Sequence, residues 1–382
     1  MKRVYFDNAA TTQLREEVIN CMTEVLISDY GNPSSTHSYG RSSKSILESS
    51  RKEIAKFFNV VASEIIFTSG GTEADNLILT SAVRDLGVKR IITSKIEHHA
   101  VLHTAEWLQK KHNIALDFVD LDECGHIDYD HLERLLADNS NKTLVSLMHV
   151  NNEVGNVLDL KRTALLCKEY NSLFHSDTVQ SVGHYELDFN EIPIDFAVGA
   201  AHKFHGPKGA GFAFIRKNSG LQPLILGGEQ ERGMRAGTEA VYAIAGMTEA
   251  LKIAYQNLEQ ERQYITELKD YFKSQLIQNI PGLKFNGSCD DNNRSTYTLL
   301  NVCLPISAEK AMLLLFQLDL KGIACSKGSA CQSGSEGGSH VLNAILSKED
   351  LKKPSIRFSF STFNKKEDID YVIDVLKEYI EE

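Results

Sequence analysis

The sequence lacks any hydrophobic run long enough to cross a membrane. Apolar stretches such as AMLLLFQL at 311–318 fall far short of the roughly 20 residues that a membrane-spanning helix needs. The first residues, MKRVYFDNAATT, also lack the apolar segment of a secretory signal. We therefore expect a cytoplasmic protein without membrane contacts.

Two further absences narrow the class of protein. The seven cysteines are odd in number and include no CxxC pair, so we expect reduced thiols rather than a disulfide framework or a zinc ribbon. Basic residues number 41 against 51 acidic ones, for a net charge of -10. Nucleic-acid binding needs clustered Lys and Arg, so we do not expect it as the main activity.

Short apolar runs alternate with helical patterns along the first part of the chain, which is typical of a parallel sheet with crossover helices. The expected strands are EIIFTS from 64, RIITSK from 90, LVSLMHV from 144, LFHSD from 173, DFAVGA from 195 and GFAFIR from 211. Polar clusters follow five of these runs directly: SGGTEADN, SKIEHHAV, HVNNEVG, SDTVQS and AAHK. Ligands of α/β sheets bind at the carboxyl ends of strands, so we expect the five clusters to meet.

The C-terminal part has a different pattern. Residues 240–279 are rich in Ala, Leu, Glu and Lys and nearly free of loop signals, which predicts one long helix. A smaller α+β region follows, with TLLNVCLP and SIRFSFS as strands and AEKAMLLLFQL and KKEDIDYVIDVLKEYI as helices. We expect an N-terminal segment 1–15, a large domain 16–255 and a small domain 256–382.

Lys203 indicates the chemistry of the expected site. It lies in AAHKFHGPKGAG just after one expected strand, and Asp177 ends the preceding one. A lysine amine can bond the aldehyde of pyridoxal phosphate, and a carboxylate at a strand end can keep the pyridine nitrogen protonated. A surface cation with a packed apolar stem is the alternative. The converging clusters favour the cofactor.

A phosphate site is expected at SGGTEADN. Gly70 and Gly71 allow close backbone approach, and Thr72 adds a hydroxyl where a helix begins, so free N–H groups can hold a phosphate. The alternative is an ordinary helix start with Thr72 and Glu73 as capping residues. The neighbouring clusters favour the phosphate.

Cys331 lies in SKGSACQSGSEGGSH at 326–340, where Gly and Ser dominate and no helical or strand period remains. This composition predicts a mobile loop, at about 324–340, that carries a thiol. Cys325, six residues earlier, is expected to be dispensable.

Ten motifs occur in the order found in one enzyme family. They are YFDNAATT, GNPSSTHSYGR, FTSGGTEADN, EHHAV, MHVNNEVG, DTVQSVG, AHKFHGPKGAG, ERGMRAGT, SKGSACQS and SIRFSFS. With them the chain resembles the cysteine desulfurases, pyridoxal-phosphate enzymes that convert cysteine to alanine and hold the sulfur as a persulfide. The resemblance implies the α/β fold type I of these enzymes, with a large, mainly parallel sheet domain and a smaller α+β domain. SACQS resembles the long-loop subgroup that supplies iron–sulfur assembly.

The resemblance assigns roles to individual residues. Lys203 would bond the cofactor aldehyde, Asp177 its ring nitrogen and Gln180 its phenolate oxygen. His98 would stack on the ring and move protons at the substrate thiol, whereas His99 is the more plausible helix cap. Asn152 would lie near the edge of the cofactor ring that carries the phenolate oxygen. The phosphate would be bound by Gly71, Thr72 and His202, and by Thr238 of a second subunit.

The substrate side is assigned in the same way. Arg357 resembles the arginine whose planar fork binds the substrate carboxylate, with a surface salt bridge as the alternative. The residues that match segments lining this side are Asn8, Ala9, Ala10 and Asn32. This chain has Ala200 where many relatives have a serine that donates to the phosphate, so that hydrogen bond is expected to be absent or replaced.

The implied reaction converts L-cysteine to L-alanine, with the Cys331 thiolate attacking the substrate sulfur and keeping it as a persulfide. The resemblance also implies a homodimer. It further implies that the sulfur is delivered to an acceptor such as an iron–sulfur scaffold protein. Cys331 is also a candidate transient ligand of an iron–sulfur cluster, because a loop thiolate is a competent iron ligand.

Alternative functions share part of this pattern. A pyridoxal-phosphate aminotransferase or a selenocysteine lyase would also use Lys203 and Asp177, but a transaminase needs no loop thiol such as Cys331. A sulfur-carrier or scaffold subunit that binds phosphate only structurally would carry no chromophore.

Overall fold

The computed structural model describes residues 2–327 and 338–381. After a short first strand, β1 (Val4–Tyr5), the chain builds a seven-stranded sheet. Its strands are β2 (Ile65–Thr68), β3 (Arg90–Thr93), β4 (Ala115–Phe118), β5 (Thr143–Ser146), β6 (Leu173–Asp177), β7 (Phe196–Ala200) and β8 (Gly211–Ile215). They lie in the order β2, β8, β7, β6, β5, β3, β4. This is the mainly parallel α/β sheet that the sequence predicted.

The direction of the strands brings the polar clusters together. β8 pairs antiparallel with β2 and β7, and the other neighbours pair in parallel. The strands β2, β3, β5, β6 and β7 therefore run the same way and end at one edge of the sheet. The clusters that follow them meet there, as predicted.

Helices cover both faces of this sheet. Alternate strand residues contribute to two separate cores, with Phe67 and Ala197 in one and Ile66 and Val198 in the other. The helices of the first 279 residues are α1 (Glu16–Ser28), α2 (Ser38–Phe57), α3 (Gly71–Asp85), α4 (His99–His112), α5 (Tyr129–Ala137), α6 (Leu160–Glu169), α7 (Val241–Gln256) and α8 (Leu258–Asn279). Because both faces are buried, the strands are continuous apolar runs rather than alternating ones.

The C-terminal part has its own sheet and core. The strands β9 (Lys284–Phe285), β10 (Leu299–Cys303) and β12 (Ser355–Ser359) pair antiparallel in the order β12, β10, β9. The remaining helices are α9 (Ala308–Leu320), α10 (His340–Ile345) and α11 (Lys366–Glu381). β1 pairs in parallel with β11 (Ile323–Ala324), and Phe6 joins the core of this part. The N-terminal segment therefore packs against the C-terminal part while it continues toward the large sheet.

Two details differ from the sequence-based expectation. The helix expected over 240–279 is two helices, α7 and α8, which meet at Asn257. The Asn257 Nδ2 donates to the carbonyl of Ile253 at 3.0 Å, the type of local side-chain bond that competes with a continuous helix. The run GFAFIR forms β8, but it is antiparallel, because residues 201–210 return the chain from β7 without a crossover helix. Of the described helices, none is long and apolar enough to span a membrane.

Candidate active site

A cavity of about 260 Å³ opens where the strand ends meet. Most of the predicted site residues line it: Ala9, Ala10, Gly71, Thr72, His98, Asn152, Asp177, Gln180, His202, Lys203 and Arg357. They come from both the large sheet and the terminal segments of the chain. The fold therefore gathers into one site residues that are widely separated in the sequence.

Lys203 lies in a short helical turn directly after β7. Its Nζ donates hydrogen bonds to the carbonyl oxygens of Ala9 at 2.6 Å and Ala10 at 2.9 Å. Thr12 holds the same turn, since its N–H and its hydroxyl both donate to the carbonyl of His202. The N-terminal segment therefore positions both the backbone and the amine of Lys203.

Asp177 is the last residue of β6 and is only 5% exposed. Its Oδ1 accepts a hydrogen bond from the Val179 N–H at 2.9 Å. Burial raises the pKa of the Asp177 carboxyl, and the neighbouring His98 and Lys203 act in the opposite direction. A cation bound in the cavity would therefore stabilise the ionised carboxylate.

The N-terminus of α3 provides one end of the cavity. A Cβ at Gly71 would lie 2.6 Å from Cγ2 of Val179, so a larger residue there would displace the Val179 side chain, which lines the cavity. His202 Nδ1 is buried and has no hydrogen-bond partner within the described ranges. Burial lowers the pKa of His202 to about 4, so its ring is neutral near pH 7. The helix N–H groups, the Thr72 hydroxyl and a proton on His202 Nδ1 together suit an anion.

His98 precedes α4, and its Nδ1 accepts a hydrogen bond from the Ala100 N–H at 3.2 Å. Burial is the main cause that lowers the pKa of His98, although Asp177 raises it. The neutral ring therefore carries its proton on Nε2, as assigned from the hydrogen bond of Nδ1. The capping role considered for His99 belongs to His98, and both rings line the cavity.

Arg357 lies in β12 and is 1% exposed. Its Nη1 donates to the carbonyl of Asn152 at 2.6 Å, and its Nη2 donates to Asp7 Oδ1 at 2.8 Å. Arg357 therefore forms a salt bridge from a buried position, and not the surface salt bridge that was the alternative.

Three predicted residues do not line the cavity. Asn8 is buried, and its Nδ2 donates to the carbonyl of Ser359 at 2.8 Å. Asn32 is exposed between α1 and α2, and Thr238 is exposed before α7. Cys331 falls outside the residues that the structure describes.

Comparison with known proteins identifies the family. The profile of the class-V aminotransferases matches residues 4–372. A cysteine desulfurase IscS of Dictyoglomus turgidum is 41% identical over 384 residues, covering 100% of this chain and 95% of the relative. The chain belongs to the cysteine desulfurase family.

Other members of this family agree with that assignment. A cysteine desulfurase IscS of Clostridium botulinum is 38% identical over 383 residues, covering 100% of this chain and 95% of the relative. The solved structure of a NifS-like protein superposes with a TM-score of 0.90 at 34% identity, covering 100% of both chains. A NifS-like protein from Rickettsia africae has a TM-score of 0.87 at 30% identity, again over 100% of both chains.

Cysteine desulfurases are pyridoxal-phosphate enzymes, and the cavity of this family member fits that cofactor. The N-terminus of α3 at Gly71 and the Nδ1 of His202, for which the described residues offer no hydrogen-bond partner, both suit a phosphate. The buried Asp177 carboxyl, on the strand beside β7, suits a protonated ring nitrogen. Ala200 lines the cavity without a hydroxyl, so it offers no side-chain hydrogen bond to the phosphate.

Sequence reasoning missed two acidic residues of this desulfurase cavity. Asp75 lies one helical turn after Gly71, so both lie on the same side of α3. Its Oδ1 is 3.3 Å from His175 Nε2. Glu153 directly follows Asn152, and its Oε1 is buried without a hydrogen-bond partner in the described part of the chain. Both residues lie inside motifs already singled out, SGGTEADN and HVNNEVG, and that position was the available signal.

Glu97 is a further buried acid, and it makes the stability of the apoprotein depend on pH. The Ser94 hydroxyl and the Met148 N–H donate to its carboxyl, and burial raises the pKa of Glu97 from 4.5 to about 8. As pH rises from about 4.5 to 8, the unfolded chain loses this proton before the folded chain does, so stability falls. We expect Glu97→Gln to raise the unfolding free energy by ~2 kcal/mol at pH 8 and by little at pH 5.

Urea unfolding of the apoprotein at both pH values measures this effect. Glutamine can keep both hydrogen bonds, since its oxygen accepts from Met148 and its amide donates to Ser94. An equal change in unfolding free energy at pH 5 and pH 8 would contradict the assignment to Glu97.

Cys325 directly follows β11 and is half-buried. Burial is the main cause that raises its pKa to about 12, and Asp7 adds to it. The side chain is therefore a protonated thiol and a poor nucleophile near pH 7. We expect Cys325→Ser to retain at least about half of the wild-type rate of alanine formation. Loss of alanine formation in a variant that still binds the cofactor would show this prediction to be wrong.

Proposed function

We propose that this chain converts L-cysteine to L-alanine and passes the sulfur to a protein thiol. The observation that carries the proposal is the placement of the Lys203 amine, the Asp177 carboxyl and the Arg357 guanidinium around one cavity. The two relatives described above are named for this activity. Pyridoxal phosphate, when bound, supplies an aldehyde for the amine and a ring that withdraws electrons from the substrate.

Different residues of this chain would bind different parts of the cofactor. Lys203 would hold the aldehyde of the cofactor, and its amine would move the proton of the substrate α-carbon. Asp177 would keep the ring nitrogen protonated. Gln180 already donates one Nε2 hydrogen to the Ala9 carbonyl at 2.9 Å, and its second hydrogen is available for the phenolate oxygen. The residues proposed for the phosphate are Gly71, Thr72 and His202, with Asn152 near the same edge of the ring.

The substrate lies on the other side of the proposed site. Arg357 binds its carboxylate, because the guanidinium fork matches the two carboxylate oxygens. Ala9 and Ala10 line the cavity with small side chains and leave room for an amino acid. The neutral ring of His98 exchanges a proton with the substrate thiol.

Cys331 is the proposed sulfur acceptor, although it lies outside the described residues. Its thiol forms a bond to the substrate sulfur as the carbon–sulfur bond breaks. L-Cysteine and the thiol thus become L-alanine and a persulfide, and the exchange needs no external oxidant or reductant. The outer sulfur of the persulfide then passes to a thiol of an acceptor protein in the cytoplasm, which restores the Cys331 thiol. We propose an iron–sulfur scaffold protein as the class of acceptor, with Cys331 as a transient cluster ligand.

We also propose a homodimer. Thr238 is exposed on its own chain. In a dimer its side chain would contact the cofactor phosphate bound by the second subunit. Large apolar side chains are exposed as well, with Ile27 at 71%, Tyr30 at 71% and Leu226 at 79%. Exposed apolar side chains of this size, where they form a patch, mark interaction surfaces. Sedimentation at the mass of a monomer would contradict this part of the proposal.

The visible spectrum of the purified protein, recorded before and after addition of L-cysteine, tests the function. Alanine and sulfide are assayed in the same sample under reductant. We expect a chromophore on the order of 400 nm, followed by formation of both products. A keto acid in place of alanine would indicate a transaminase, and a protein that cannot be reconstituted with the cofactor would contradict the role of Lys203. Cys331→Ala should keep the chromophore and lose sulfur delivery.

A further inference from the structure

Arg357, which is proposed to bind the substrate, pairs with the carboxylate of Asp7, a residue that has no role in the proposed function so far. The Arg357 side chain is 2% exposed, and Asp7 Oδ1 accepts from its Nη2 at 2.8 Å. On the other terminal nitrogen, Nη1 donates to the carbonyl of Asn152 at 2.6 Å. Asp7 therefore acts from the N-terminal segment on a residue of β12.

The same oxygen of Asp7 also holds Ser326. The Ser326 hydroxyl donates to Asp7 Oδ1 at 2.8 Å. Ser326 and Arg357 exchange backbone hydrogen bonds, with the Arg357 N–H donating to the Ser326 carbonyl at 2.7 Å and the reverse bond at 3.3 Å. Asp7 is itself bridged in parallel to Ser359, two residues after Arg357. The carboxylate, the guanidinium and Ser326 are thus one hydrogen-bonded unit.

The hydrogen bonds of Arg357 leave the donors that a carboxylate needs. Each terminal nitrogen of a guanidinium carries two hydrogens. Among the described residues, Nη1 uses one on the Asn152 carbonyl and Nη2 uses one on Asp7. Each terminal nitrogen keeps a second hydrogen, and two hydrogens on neighbouring guanidinium nitrogens can match the two oxygens of a substrate carboxylate.

We propose that Asp7 is a positioning residue for substrate recognition, which fixes the plane of the Arg357 guanidinium so that its two remaining terminal hydrogens bind the substrate carboxylate. This inference rests on the proposed function, in which Arg357 receives that carboxylate. Without Asp7 the guanidinium keeps only its hydrogen bond to the Asn152 carbonyl. It can then rotate away from the orientation in which it binds both carboxylate oxygens.

A purely structural role for Asp7 makes a different prediction. A counterion for a buried arginine would affect the unfolding free energy but not the choice between ligands with and without a carboxylate. The decisive comparison is therefore between L-alanine and ethylamine, because ethylamine is alanine without its carboxylate. Both are titrated into the holoenzyme and followed by the absorbance of the bound cofactor.

We expect Asp7→Ala to weaken L-alanine binding about tenfold, as the loss of a charge-assisted contact implies, and to leave ethylamine binding unchanged. KM for L-cysteine should rise by a similar factor, with kcat changed by less than about threefold. Asp7→Asn keeps an acceptor oxygen without the charge, so a smaller fall of about threefold is expected. Asp368→Asn, at an acid that pairs with Lys2 near the surface, is the matched control and should behave as wild type.

Arg357→Ala separates this inference from the proposed function. If Arg357→Ala loses the preference for L-alanine and Asp7→Ala keeps it, the positioning role is wrong while the function of Arg357 stands. If Arg357→Ala also keeps the preference, the assigned role of Arg357 fails and the inference fails with it. Should Asp7→Ala not fold, Asp7→Asn decides alone, because an unchanged preference in that variant overturns the proposal.

Discussion

Replacement of Lys203 by alanine is expected to lower the rate of alanine formation from L-cysteine by at least about 10³-fold. The proposed role of this amine is twofold, since it bonds the cofactor and then moves the α-proton of the substrate. In the structure the carbonyls of Ala9 and Ala10 hold Nζ at the cavity. A free amine in solution would not be held there, so added methylamine should restore only a small part of the rate.

Two measurements check this expectation. Kinetics with L-cysteine give the rate, and mass spectrometry after borohydride reduction reveals whether the cofactor is attached to Lys203. Lys208→Ala is the matched control, because Lys208 is an exposed lysine five residues further along the chain. Equal loss in both variants, or attachment to another lysine, would rule out the assigned role.

Asp177→Asn is expected to have the second largest effect, with kcat lowered about 100-fold. The carboxyl is buried at the end of β6, and this burial raises its pKa. A protonated ring nitrogen beside it would favour the carboxylate, and the pair would hold the proton on the ring. Asparagine has nearly the same shape but no charge, so it cannot favour the protonated ring.

The dissociation constant of the cofactor should rise together with the fall in kcat. Both follow from absorbance titrations of the apoprotein and from initial rates at saturating cofactor. Asp188→Asn is a suitable control, because Asp188 does not line the cavity and its half-buried side chain accepts a hydrogen bond from Asn59 Nδ2 at 3.0 Å. A variant Asp177→Asn with wild-type kcat and affinity would place the ring nitrogen elsewhere.

The strands were predictable where they are buried on both faces. LFHSD, for example, became β6, and DFAVGA became β7, because the helices on both faces of the sheet select continuous apolar runs. β4 was not predicted. Its residues ALDF are half-buried or exposed at the edge of the sheet, so they carry a weaker apolar signal. The boundaries of the domains at 15 and 255 stay a prediction.

The candidate site was predictable to the extent that it follows strand ends. Gly71, His98, Asp177 and Lys203 each follow or end a strand whose direction is shared, so the topology of the sheet alone brings them together. Asn8 was assigned to the substrate side by resemblance, and the structure places its amide against Ser359 instead. A short motif specifies which residues are close in the chain, but not which of them faces the cavity.

By itself, the sequence determined the chemical groups of this protein and the sheet edge at which they meet, because strand periodicity and the order of the motifs are local properties of the chain. Only the tertiary structure decided the state of those groups. Asp7 and Arg357 are 350 residues apart in the chain, but Asp7 Oδ1 lies 2.8 Å from Arg357 Nη2 in the folded protein. Burial, and then the nearby carboxyls of Asp177 and Glu97, raise the pKa of Asp75, although the three acids lie in different segments of the chain. Ionisation and hydrogen bonding depend on what lies nearby in space, and that proximity is created by folding.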